Sequence, residues 1–170
     1  MKVKLIILLF VSVCTINVKA QDNATKILDN ALAQAKAENK HVFIKYSASW
    51  CGWCKKMDKQ MKSDNCEYFF DTSYVIVNLV VRESKTNKHL ENPGALDLLI
   101  KHKGEKAGLP FWVILNKDGD LIEDSFNSEG DNLGCPATKE EVDLFVGILK
   151  NSSNLTDENL AIIAETFQMK

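Results

Sequence analysis

The chain has 170 residues, enough for one ordinary domain and too few for two comfortable ones. Hydrophobic residues at 45% and charged residues at 26% exclude a disordered or collagen-like chain. A net charge of -2, from 21 Lys and Arg against 23 Asp and Glu, leaves no basic footprint for nucleic acid and no polybasic membrane patch.

Met1-Lys2-Val3-Lys4 is a cationic start, and an apolar run follows from Leu5 to Val13. Val18-Lys19-Ala20 offers small residues at the two positions a signal peptidase reads, with Gln21 as the new N-terminus. The run is too short to be a permanent bilayer anchor. Lipid attachment at Cys14 is disfavoured because Val13, not a small residue, precedes it. A signal peptide over residues 1–20 and a periplasmic or secreted protein without a stable membrane anchor are therefore expected. Cleavage leaves 150 residues with 18 basic against 23 acidic groups, a charge of -5. It also leaves four cysteines, Cys51, Cys54, Cys66 and Cys135, in a compartment that permits disulfides.

Thr25 to Asn39 carries Ile27, Leu28, Ala31, Leu32 and Ala35 on one helical face, with Asp22 or Asn23 as cap. His41 to Ser47 reads as a short strand and Cys51 to Lys62 as a helix, with another turn or two from Asp64 to Asp71. Tyr74 to Val81 is an apolar β-rich run that predicts a buried central strand. Arg82 to Asn92 reads as a polar loop. Pro93 is placed to open a helix that Gly104 stops. Phe111 to Leu115 and Leu121 to Phe126 flank a Gly-containing turn, a hairpin signal. Thr138 with Glu141 fits a capping box before a helix to Lys150, and Thr156 to Met169 forms a last amphipathic helix. Alternating α and β elements followed by a hairpin imply a three-layer α/β fold, with a mixed sheet flanked by helices and one antiparallel edge.

Cys51 and Cys54 stand three apart where a strand gives way to a helix. A helix start supplies unpaired N–H groups and a dipole that favour a thiolate at Cys51, and Cys54 lies one turn on, close enough to close a disulfide ring. Gly52 allows close backbone approach, and Trp50 and Trp53 can wall the site. The chemistry that follows is thiol–disulfide exchange, with Cys51 attacking and Cys54 resolving. A zinc site lacks a second pair at the required spacing, and His41, His89 and His102 form no ligand set, each reading as a surface or cap residue. A haem attachment would need His where Lys55 stands. No metal or cofactor is called for.

Ser49-Trp50-Cys51-Gly52-Trp53-Cys54-Lys55 resembles the active-site segment of the thioredoxin superfamily, in particular its exported bacterial members. Gly108-Leu109-Pro110-Phe111, just before the hairpin, is similar to that family's cis-proline segment. The resemblance covers about Asn30 to Lys150. It implies a thioredoxin-like domain over 21–150 with a helical extension over 151–170, and a cis Leu109-Pro110 bond facing the dithiol. It also implies that the Leu109 backbone docks a substrate strand. Two departures stand out. The family carries a buried acid six residues before the first active-site Cys, and here that position is Lys45; turned towards the dithiol, its charge would stabilise a thiolate. The Gly52-Trp53 pair, at a position that tunes potential, is the second. Some 55 residues separate Cys54 from Pro110, more than thioredoxin uses, with the extra length around 82–107.

Cys66 and Cys135 either pair as a structural disulfide or stay as two isolated buried thiols, and the second is the expectation. The functional expectation is an exported, monomeric thiol–disulfide oxidoreductase acting on protein disulfides or dithiols with a redox partner. The alternative is a peptide-binding or chaperone-like module with little redox turnover.

Overall fold

The computed structural model describes residues 21–168; the signal expected at 1–20 lies outside them. Six helices and four strands follow one another as α1 (Ala24–Glu38), β1 (His41–Ser47), α2 (Gly52–Met61), α3 (Glu67–Ser73), β2 (Tyr74–Val80), α4 (Ala95–Lys101), β3 (Phe111–Leu115), β4 (Leu121–Asp124), α5 (Lys139–Asn151) and α6 (Asp157–Phe167). Two 3-10 turns, Lys85–Leu90 and Gly104–Lys106, flank α4.

The ends of the helices are written in their caps. Asn23 Oδ1 accepts the Thr25 N–H at 2.8 Å to start α1, and Asn39 ends it at φ 52. Thr138–Glu141 and Thr156–Asn159 form reciprocal capping boxes on α5 and α6.

The sheet order is β2-β1-β3-β4. β1 runs parallel to β2 and antiparallel to β3, and β3 runs antiparallel to β4. Tyr74–Val80 is thus an outer strand, not the expected central one. Its apolar run reflects packing on its faces: Tyr74, Val75, Val77 and Leu79 are buried while Asn78 is exposed. Its outer edge is capped near the end by Asn92, which accepts the Val80 N–H and donates its own N–H to the Val80 carbonyl.

Each face of the sheet carries a core. On one, Val42, Ile44 and Tyr46 join Val75, Val77, Phe111 and Val113 under α1 and α4. On the other, Phe43, Trp112 and Ile114 meet Met57 and Met61 of α2, Phe70 of α3, Phe145 of α5, and Leu160, Ile163 and Phe167 of α6. Burying both faces of β1 makes the domain three-layered. The last helix belongs to this second core, and Gln60 of α2 donates to the carbonyls of Thr166 and Phe167 at its end.

Both ends of α4 differ from expectation. Gly94, at φ 81, is the N-cap of α4, so Pro93 stands outside the helix; its carbonyl accepts the Ala24 N–H instead. The same helix ends after Lys101, with Lys103 at φ 63, before Gly104 is reached. Gly104 is required for space: a Cβ there would lie 2.5 Å from side-chain carbons of both Leu99 and Phe111.

Candidate active site

The turn from β1 into α2 places Cys51 at the N-cap. Its Sγ accepts the Cys54 N–H at 3.0 Å, so the sulfur sits among the unpaired amides of the first turn. Cys51 and Cys54 form a disulfide with Cα atoms 5.3 Å apart. Both are buried, at 3% and 2% exposure, packed with Ala48 and Leu109. The rim is aromatic and open: Trp50 is 58% exposed and Trp53 49%. Lys56 Nζ lies 4.9 Å from the centroid of the Trp53 ring.

Lys45 turns inward. It is 1% exposed, on the face of β1 that carries Phe43, and its ammonium is ion-paired with Asp58. Asp58 stands four residues after Cys54, one turn further along the same side of α2. Burial lowers the Lys45 pKa, and the Asp58 carboxylate works against that shift. The charge beneath the active-site helix is therefore a balanced pair and not a lone cation.

The long 82–107 segment is tied to the site. Glu83, a buried carboxylate, accepts both the backbone N–H of Ser49 and, at 2.8 Å, its hydroxyl. The Arg82 carbonyl accepts the Trp50 indole N–H at 2.9 Å. The Arg82 guanidinium donates to the carbonyls of Ala107 (2.7 Å), Gly104 (3.1 Å) and Glu105. Two consecutive residues thus hold the loop before Cys51 and the loop before Pro110 in one frame.

Opposite the dithiol, the Leu109-Pro110 peptide bond is cis, and Leu109 packs on the Cys51–Cys54 pair. A cleft of about 440 Å³ runs from Trp53 past Leu109 and Pro110 to Asn132, Gly134 and Cys135. Cys135 and Cys66 are free and buried. Cys66 packs in the α3 side of the core. Cys135 donates to Gln60 Oε1 at 3.3 Å, and burial raises its pKa to about 11. The structural disulfide between them does not form. His102 departs from a surface role: it caps α4 but is buried, and its Nδ1 bonds the Tyr46 hydroxyl at 2.8 Å.

The sequence reading singled out Trp50, Cys51, Gly52, Trp53, Cys54, Leu109 and Pro110, which lie together at one end of the sheet. It missed Asp58, Glu83 and Asn132. A carboxylate one helical turn from Cys54 on the strand-facing side was the available signal for Asp58. Nothing local marked the other two, whose partners lie 34 and 24 residues away.

A disulfide at a strand-to-helix turn, faced by a cis-proline loop on a mixed sheet, defines a thioredoxin-type domain. A family model described as thioredoxin-like matches residues 23–117, and the chain belongs to that family. Among solved structures, a disulphide isomerase from Xylella fastidiosa shares 19% identity at a TM-score of 0.53, covering 84% of this chain and 89% of that one. A DsbH oxidoreductase shares 20% identity at a TM-score of 0.47, covering 76% and 83%. The C-terminal domain of Neisseria meningitidis DsbD, in its oxidised form, shares 23% at a TM-score of 0.43, covering 62% and 84%. No curated protein matches the sequence. Among the described residues no helix is long and apolar enough to cross a membrane.

Proposed function

We propose that this chain is an exported thiol–disulfide oxidoreductase that exchanges disulfides with protein substrates through Cys51 and Cys54. The observation that carries the reading is the Cys51 sulfur at the N-cap of α2, bonded to Cys54 and accepting its N–H. Reduction of the pair leaves a Cys51 thiolate facing those amides, which lowers its pKa and makes it the attacking group. The thiolate attacks one sulfur of a substrate disulfide, forming a mixed disulfide and releasing a substrate thiolate. Cys54, deprotonated, then attacks the Cys51 sulfur and releases the second substrate thiol. Two electrons and two protons pass from the dithiol to the substrate, and the reverse sequence oxidises a substrate dithiol. The potential of the pair relative to its redox partner sets the direction.

Trp50 and Trp53 supply an exposed apolar rim for a protein partner, and Leu109-Pro110 supplies the edge against which its chain lies. The test is reduction of insulin by dithiothreitol, followed by turbidity. Catalysis lost to background in Cys51→Ser supports the reading. A wild-type rate no higher than the uncatalysed one sinks it and favours a peptide-binding module. Export is tested separately by the N-terminus of protein recovered outside the cytoplasm: Gln21 is expected, and an intact Met1 overturns it.

A further inference from the structure

We propose that Asn132 is the positioning residue of the substrate edge, holding the Gly108–Pro110 segment so that Leu109 presents its peptide groups to an incoming chain. The inference rests on the exchange reaction proposed above and adds the residue that gives it preference for polypeptide disulfides.

The geometry is specific. Asn132 Nδ2 donates to the Gly108 carbonyl at 2.9 Å and to the Pro110 carbonyl at 3.0 Å. Its Oδ1 accepts from the Ser125 hydroxyl at 2.7 Å and from the Gly134 N–H at 3.2 Å. Main-chain carbonyls only accept and a main-chain N–H only donates, so these partners fix which end of the carboxamide is nitrogen. All four of its bonds are used. Ser125 is fully buried and in turn accepts the Trp112 N–H, which anchors the carboxamide to the start of β3.

The carbonyls on either side of Leu109 are therefore taken, and they are taken by one side chain. Among the described residues, neither the N–H nor the C=O of Leu109 has a hydrogen-bond partner. Leu109 lines the cleft beside Trp53 and packs on the dithiol. An unpaired donor and acceptor on one residue, next to the reactive sulfurs, is what a substrate backbone needs to add as a short strand. Without Asn132 the two flanking carbonyls lose their donors, the segment is free to turn, and the Leu109 groups lose their fixed aim.

The test compares two disulfides in single-turnover exchange with the reduced protein, followed by tryptophan fluorescence. One is the disulfide dimer of N-acetyl-Ala-Cys-Ala-amide, which has a backbone to dock; the other is hydroxyethyl disulfide, which has none. For Asn132→Ala the ratio of the peptide rate to the hydroxyethyl rate is expected to fall roughly tenfold, the effect of losing about one well-placed hydrogen bond. Asn132→Asp keeps the size of the side chain and its contacts to Ser125 and Gly134 but removes the donor; the same fall is expected there, which covers an Ala variant that fails to fold. An unchanged ratio in the folded variants, with both rates lowered equally or not at all, overturns the inference and leaves the exchange reaction standing. A wild-type protein that exchanges with neither disulfide overturns both.

Discussion

Lys45 and Asp58 form an ion pair in which one partner is almost wholly buried and the other is 39% exposed. The lysine has left water for a position beneath the active-site helix, and its acidic partner, Asp58, reaches it from the solvent side. Removing one member of such a pair is not equivalent to removing the other. Asp58→Ala leaves a buried ammonium without a counter-charge and is expected to destabilise the fold by about 1–2 kcal/mol, less than for a fully enclosed pair because the carboxylate is partly hydrated. Lys45→Met removes the buried charge altogether and is expected to cost less than Asp58→Ala. Urea unfolding of the two variants checks the order; the reverse order would mean the ammonium gains more from Asp58 than it loses by burial.

The thiols give a second prediction. In oxidised protein starting at Gln21, Cys66 and Cys135 are the free pair, so denatured protein is expected to titrate two thiols per chain with a disulfide reagent. Native protein at neutral pH is expected to react very slowly, because both are buried and Cys135 ionises only near pH 11. A denatured count of zero would reveal a Cys66–Cys135 bond that this fold does not contain.

Gly104→Ala tests the packing between α4 and β3. The new methyl would sit 2.5 Å from Leu99 and Phe111 carbons, both in the core, and a loss of about 1–3 kcal/mol is expected. Gly108→Ala in the next loop meets nothing within 4 Å and serves as the control. Equal stabilities for the two variants would contradict the close approach.

His102 predicts a pH dependence. Burial, with a smaller contribution from Lys101, lowers its pKa below 6.5 in the folded chain, and its Nδ1 shares a hydrogen bond with the Tyr46 hydroxyl, whose own pKa burial raises. The unfolded chain therefore binds the proton first as the pH falls below 6.5. Stability from this residue is complete above that value and declines with falling pH until the folded imidazole also protonates. His102→Gln is expected to show a shallower loss of unfolding free energy as the pH falls below 6.5. Identical slopes would exclude the residue as a contributor.

Much of this architecture could be read from the residues. The helices were marked by a cap at Thr138 and by periodicity, as after Thr156, and the hairpin by its turn. The dithiol was local, since two sulfurs three residues apart at a helix start need no tertiary information. What could not be read was set by distant partners. All of Val42 to Tyr46 is buried, so alternation along β1 carries no sign of which face is dry, and the inward turn of Lys45 was undecidable. The apolar stretch at Tyr74 reported covered faces and not position in the sheet. Glu83 sits in a polar stretch that reads as solvated, yet its carboxylate is enclosed because Ser49 comes to it from across the sheet end.

That arrangement at Arg82 and Glu83 carries a consequence for how the segment after β2 can diversify. Between Ser84 and Leu90 the side chains are exposed or half-exposed, so insertions and deletions there would leave the anchors untouched. Arg82, Glu83 and Asn92 are different, because each is bonded to a part of the chain that positions the sulfurs, the proline loop or the outer strand. Homologues of this chain should therefore differ in length within a window of seven residues and keep the same three side chains at its margins.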